Sequence, residues 1–461
     1  MSRLLLRSLR SSNAGLFLLQ NNYKKQGIHV PVPVLLRYIS SAITQKFESL
    51  NRDSSEFLRQ EEKLDSKRKT HEITRLIQQW SSLWGKESAS SDSNFFRDNG
   101  DAHALEKGVE VVDRLANVLL DVREANIKNS SEGDDHDRTN YLNTLNLALA
   151  FWGKSPPSEM NGVRAQHLLS RMEHVGVLDF SEIGADSGQL RCIMIAYGAA
   201  IQAWAISHDP PNSSVNGALQ AQALLEKLEQ VEGGTDIQPQ LRIYNSSMHG
   251  FAIRGMVEEA EQLLEKLEKL SETNAELTPD VLTFSSCINA YLKSTKRGIA
   301  KGEPVAKRAE ALLDRMVKRY ESTGGDLQYR PNQTTFGTVI SLFAKSNTKT
   351  AAEDADRILQ WLISLYEKDV NSGKVRNEKN NSYSLQPSYV HFISVLIAYQ
   401  KRSMGRGAAV QRIEELLVQM DAMCQAGNDK VTPTYQVRTC KKRSSILTRK
   451  IRNATLCFVG V

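Results

Sequence analysis

Nine histidines and five cysteines are the residues of this chain best suited to metal or nucleophilic chemistry, and their spacing supports neither. Cys192, Cys287, Cys424, Cys440 and Cys457 form no CxxC pair and no regular series. That argues against a zinc ribbon or disulfide framework and fits a reducing compartment. Cys192 and Cys287 stand among apolar residues, where a buried free thiol is expected. His249 and His391 likewise fall in apolar helical stretches, as lining or packing groups rather than ligands. The chain has no GxxxxGK phosphate loop, no HExxH, no GxSxG and no His-x-Glu…Cys-x-x-Cys deaminase signature. No catalytic residue, metal site or cofactor is implied, and the chain reads as a non-enzyme.

What the sequence does supply is a recurring helical frame. Residues 241–280 read as two helices and a turn. Ile243, Tyr244, Met248, Phe251 and Ala252 fall at helical spacing, and Arg254-Gly255 interrupts them. Ala260, Leu263, Leu264 and Leu267 then place one apolar stripe on a second, charged helix. Pro279 closes the unit, because the residue before a proline is pushed out of the helical region. Similar openings follow at Pro279-Asp280-Val281-Leu282-Thr283-Phe284-Ser285, Pro331-Asn332-Gln333-Thr334-Thr335-Phe336-Gly337 and Pro387-Ser388-Tyr389-Val390-His391-Phe392-Ile393. An Ala-x-x-Leu-Leu-x-x-Leu/Met box recurs from Ala165, Ala221, Ala260 and Ala309, and returns from Ala355, with Ile358 in place of the first leucine, and from Ile413, with isoleucine leading. One helix pair cannot bury its own stripe, so repeated pairs stack. The expected fold is all-α, an α-α solenoid of six or seven helix-turn-helix repeats.

The ends differ in kind from the body. Residues 1–47 carry seven bases and no acid, with Arg3, Arg7 and Arg10 beside Leu4, Leu5 and Leu9. This is the composition of an organellar transit peptide, and residues 37–41 resemble a mitochondrial processing site. A mitochondrial matrix address is expected, with a plastid second. Residues 48–72 read as a linker or frayed helix, 73–240 as degenerate helical repeats, 241–435 as cleaner repeats with insertions, and 436–461 as a basic tail. Opening prolines 239, 279, 331, 387 and 433 are 40, 52, 56 and 46 residues apart. The surplus lies in polar insertions, which are tolerated because closure entropy grows slowly with loop length. No apolar run reaches the length of a membrane span, so no membrane insertion is expected. The net charge is +6, with +7 in residues 1–47 and +8 from Lys430 onward, leaving −9 for residues 48–429. The charge of the body therefore lends no support to nucleic-acid binding.

Residues 279–285, continuing into INAYLK and AEALLDRM, resemble the pentatricopeptide repeat family, as does YNSSMHGFAIRGMVEEAEQLLEKL from Tyr244. The resemblance is clean over 241–435 and looser back to about residue 73. It implies a right-handed α-α superhelix that binds single-stranded RNA, one base per repeat, on a face lined by first helices. In that family the residue after the first-helix aromatic and the residue after the next opening proline share one base edge. The RNA-binding pairs so implied are Asn245 with Asp280, Ser285 with Asn332, and Gly337 with Ser388. Two short polar groups can make two hydrogen bonds to a base edge. The family's correspondence assigns uridine to the first pair and adenosine to the second. Gly337 offers no side chain, and Gly198 with Gln240 and Ile393 with Thr434 match no usual pair. Lys293, Lys296, Arg297 and Lys345 are available as local phosphate contacts. The implied function is sequence-selective RNA binding in organellar RNA processing, stability or translation, with RNA-processing or ribosomal proteins as further partners. The competing expectation is a protein-binding helical scaffold, such as a subunit of an organellar ribosome or processing complex.

Overall fold

The computed structural model describes residues 32–87, 102–129, 135–155, 157–178, 188–209, 215–230, 239–298, 303–346, 348–371, 385–402, 407–426 and 428–431. Among these residues there are fifteen α-helices and no strand. They are α1 (Val32–Gln60), α2 (Ser66–Glu87), α3 (Ala102–Asn129), α4 (Asp135–Lys154) and α5 (Met160–His174). Next come α6 (Gly188–Ile206), α7 (Gly217–Glu229), α8 (Leu241–Arg254), α9 (Val257–Thr273) and α10 (Val281–Lys296). The last are α11 (Glu303–Ser322), α12 (Gln333–Lys345), α13 (Ala351–Asn371), α14 (Tyr389–Arg402) and α15 (Gly407–Gln425). The first-helix and second-helix stretches read from the sequence from residue 73 on alternate as even and odd helices.

The chain divides into two compact units, Met1–Gly250 and Phe251–Val461. Within the first, consecutive helices from α1 to α7 pack on one another, and α1 also meets α3, α2 meets α4, α3 meets α5 and α4 meets α6. Within the second, consecutive helices from α9 to α15 pack likewise, with α10 on α12 and α12 on α14. Even helices thus form one layer in each unit and odd helices another.

The apolar boxes decide which face of each odd helix turns inward. All four positions of each of the six boxes, from Ala165 to Met420, are buried. Burying one leucine fully is worth roughly 2 kcal/mol, so no other face of these charged helices competes. Helix ends follow equally local rules. Asn216 caps α7 by accepting from Ala218 N at 2.9 Å. Gly255, at φ +71°, ends α8, with Met256 N bonding Phe251 O at 3.1 Å and Gly255 N bonding Ala252 O at 3.3 Å. A side chain at Gly255 would also sit 2.6 Å from Ser294 N of α10, so glycine serves both the turn and the helix contact.

The structure adds to the sequence reading near the start of the chain. The segment 48–72, read as a linker or frayed helix, holds the end of α1 and the start of α2. Leu50 and Phe57 are buried there, and Ser54 Oγ accepts from Trp80 Nε1 at 3.2 Å. The charged surface of this segment hides a narrow apolar stripe. Residues 32–47 of the proposed leader also lie in α1, while residues 1–31 and 432–461, which include the basic tail at 436–461, lie outside the described residues. In α4, Tyr141, Leu142, Leu145, Leu149 and Trp152 are buried.

Candidate nucleic-acid interface

The even helices of the second unit begin alike. Asp280 caps α10: its carboxylate accepts from Leu282 N, Thr283 N and Thr283 Oγ1, each at 2.9 Å, and its own amide donates to Thr283 Oγ1 at 3.2 Å. Asn332 caps α12, with Oδ1 accepting from Thr335 N and Thr335 Oγ1, both at 3.0 Å. Ser388 precedes α14, and its amide donates to His391 Nδ1 at 2.9 Å while its hydroxyl lies 3.0 Å from the same nitrogen. The first amides of a helix have no partner within it, which is why such acceptors recur. In each case the cap's partner is the third helical residue, four positions after the opening proline.

That third residue also reaches the preceding even helix. Thr335 Oγ1 lies 2.9 Å from Ser285 Oγ on α10. His391 stands over Gly337 of α12, where an added Cβ would come 2.9 Å from Nε2. In the first unit, Ile243 of α8 covers Gly198 of α6, whose added Cβ would come 3.2 Å from Ile243 Cγ1. The structure therefore joins Ser285 to Asn332 through Thr335, and Gly337 to Ser388 through His391. Gln240 O accepts from Ile243 N at 2.8 Å, so the Gly198 and Gln240 positions flank the same side chain. Asn245 is half-buried in the first unit and Asp280 half-buried in the second, and each is placed within its own unit. Ile393 is buried, and Thr434, its expected companion, lies outside the described residues.

His391 is 4 % exposed. Nδ1 accepts the Ser388 amide proton, so the ring proton sits on Nε2, 2.8 Å from the Gln333 carbonyl. Burial holds its pKa below the ordinary imidazole value, with the Gln333 carbonyl pulling the other way. His249 is exposed on α8. Cys287 is buried, its thiol pushed up to about 12, first by burial and then by nearby Glu261, whereas Cys192 is half-buried, with Sγ 3.4 Å from Asn143 Oδ1. Among the described residues no group of three His, Cys, Asp or Glu is placed to hold a metal ion.

Charge is distributed unevenly among the helices. Helices α6, α8, α10, α12 and α14 contain Arg191, Arg242, Arg254, Lys293, Lys296, Lys345, Lys401 and Arg402 and no Asp or Glu. Helices α9, α13 and α15 hold 14 acids against five bases. Arginines of the odd layer are neutralised by the preceding odd helix: Arg308 by Glu261, Arg315 by Glu268, Arg357 by Glu310 at 2.5 Å and Arg412 by Asp356 at 2.6 Å. Lys293, Lys296, Lys345 and Lys401 make no ion pair among the described residues. Partial burial, then Lys296 and Lys401, hold the Lys345 ammonium below its usual range. Lys293, Lys345 and Lys401 follow Ser285, Gly337 and Ile393 by eight positions, about 12 Å along the helix axis. Odd helix α11 is mixed, with four acids and five bases, so the −9 net charge of the body averages the acid-free helices with the acidic α9, α13 and α15.

Buried tyrosines tie the layers together. Tyr197 of α6, Tyr291 of α10 and Tyr399 of α14 each donate to an acid of the preceding odd helix, Glu173, Glu261 and Asp356. The next odd helix brings a base to the same acid: Lys227 at 2.7 Å, Arg308, and Arg412 at 2.6 Å. Burial, followed by the adjoining carboxylate, raises the pKa of the Tyr197 and Tyr291 phenols far above the ordinary value.

No family model, curated protein or solved structure matches the chain. No helix among the described residues is long and apolar enough to cross a membrane.

Proposed function

We propose that this chain is a right-handed α-α superhelical repeat protein that binds single-stranded RNA along its even helices, without catalysis. Its place is organellar, first mitochondrial, RNA processing, stability or translation. The observation that carries this reading is the acid-free set of even helices α10, α12 and α14 in the second unit, whose lysines 293, 296, 345 and 401 lack carboxylate partners among the described residues. Like charges held close together favour a polyanion, and release of its counterions drives the association. The Ser285/Asn332 pair lies on the same helices. Beside the caps, Leu282 and Val390 are 61 % and 49 % exposed, apolar surfaces against which a base plane can lie. On the family's correspondence, Ser285 with Asn332 reads adenosine. Gly337 with Ser388 is a silent step, because His391 fills the space. The acid-free composition of residues 1–47 supports the organellar address.

The test is crosslinking of the full chain in isolated mitochondria, with sequencing of bound RNA, alongside titration of the purified chain with single-stranded and duplex RNA. Recovery of specific transcripts and a preference for single strands are expected. Equal affinity for duplex, or recovery of proteins alone, would overturn the reading in favour of a protein scaffold.

A further inference from the structure

We propose that one side of α15 is a docking surface for the chain's own basic segment 442–450, seated in the register of a further odd helix. The register comes from the ion pairs between odd helices. On α11, Arg308 and Arg315 stand seven residues apart, and they meet Glu261 and Glu268 of α9, also seven apart. Seven residues are two helical turns, so the two helices run parallel and each contributes one stripe. Counted from the first residue of each apolar box, the acids stand one and eight places later. The bases stand one place before and six places after it. Arg412 meets Asp356 by the first of these rules, at 2.6 Å, and Lys227 meets Glu173 by the second, at 2.7 Å.

Helix α15 carries both acids of the pattern, Glu414 and Asp421, one and eight places after Ile413. Among the described residues no α-helix follows it. Val418 lies between the two acids on the same stripe and is 68 % exposed. In the five earlier boxes that place is polar, held by Ser170, Glu226, Glu265, Asp314 and Gln360. It is a place that meets the next odd helix, since Gln360 exchanges two hydrogen bonds with Gln419 of α15, both at 3.1 Å. An exposed valine between two acids calls for an apolar edge between two bases.

The segment from Lys442 to Arg449, KRSSILTR, has the order of Arg308 to Arg315, RAEALLDR. Each begins and ends on a base and has two apolar residues at its fifth and sixth places. Leu312 and Leu313, at those places in α11, are buried. In the same register on α15, Lys442 comes to Glu414, Arg449 to Asp421 and Ile446 beside Val418. Arg443 stands where α11 has Ala309, so the segment offers a narrow apolar edge rather than a full box. The charges are complementary: residues from Lys430 on carry +8 and no acid, and α15 has three acids to one base. The tether is long enough. Residues 429–431 pack on α15, and the eleven steps from Val431 to Lys442 span up to about 35 Å. The distance from Gln425 back to Glu414 is about 16 Å along the helix. A tether of this length keeps the segment at an effective concentration on the order of millimolar.

The experiment is hydrogen exchange of the full chain without RNA, read on amides 442–450, so that its failure leaves the RNA-binding reading in place. Those amides should exchange about tenfold more slowly than in a synthetic peptide of residues 438–452. Asp421→Arg and Arg449→Asp should each bring the rate to within about twofold of the peptide, and the two together should restore protection. Glu415→Arg, off the stripe and paired with Arg412 at 2.8 Å, should leave protection unchanged. Exchange at the peptide's rate in the wild type, or protection that neither reversal alters, overturns the inference. Protection that falls on dilution assigns the segment to a second copy and overturns it as well. Should Asp421→Arg fail to fold, Lys442→Glu and Arg449→Asp carry the test, with the same loss expected of each and retained protection counting against the register.

Discussion

His391 of α14 occupies the space that a side chain on Gly337 of α12 would need: an added Cβ falls 2.9 Å from Nε2 and 3.1 Å from Cδ2. The imidazole is held on both sides, by the Ser388 amide and the Gln333 carbonyl, so it is not free to swing away. Gly337→Ala should therefore destabilise the second unit by about 1–3 kcal/mol through overpacking. In a His391→Ala background the same change should be nearly neutral. Chemical unfolding of the four proteins of this cycle measures the coupling, and additive effects would show that the two residues do not compete for space.

His391 also gives stability a defined pH dependence. Its folded pKa lies below the ordinary value, so the unfolded chain takes up a proton first as the pH falls through about 6.5. Stability is thus complete above that value and declines on acidification until the folded pKa is reached. Urea midpoints at pH 7.5, 6.5 and 5.5 should fall more steeply for the wild type than for His391→Thr. Parallel curves would remove His391 from the pH response.

Asp356, 5 % exposed, is shared by Arg412, Tyr399 and Gln360. Asp356→Ala leaves a buried phenol and a partly buried guanidinium without their acceptor and should cost about 2–4 kcal/mol. Tyr399→Phe, which removes one donor only, should cost about 1 kcal/mol. Thermal unfolding orders the two, and the reverse order would mean that the acid is not the hub of this contact.

The layer charge predicts an asymmetry in RNA binding. Lys345→Glu should weaken affinity for all sequences alike and lower the slope of log K against log salt by roughly 0.7 per lost phosphate contact. Lys318→Glu, on the odd helix α11 and already paired with Asp314 at 2.7 Å, should change neither. Equal losses would place the RNA elsewhere than on the even layer.

Much of the architecture could be read directly from residue order. The boxes from Ala165 to Ile413 revealed the odd helices because a stripe at helical spacing is complete within two or three turns. The prolines and the polar residues after them marked the even-helix starts for an equally short-range reason, and Asp280 and Asn332 are the caps. The packing of 48–72, read as a linker or frayed helix, was hidden because Leu50, Ser54 and Phe57 are three buried residues in a mostly charged run, and only Trp80 shows where Ser54 is held. Thr335 and His391 stood at a visible offset, four residues after each proline, but nothing local distinguished them from helix-start filler.

The sequence by itself determined which faces are apolar, where helices start and stop, and which short polar residues begin the even helices, because periodicity and capping are settled within a few residues. Only the tertiary structure decided that Thr335 meets Ser285, that His391 fills the place of a Gly337 side chain, and that the unneutralised lysines share a layer. Those relationships join residues some fifty positions apart. They depend on the register in which one even helix lies against the next, and that register is fixed by packing between helices.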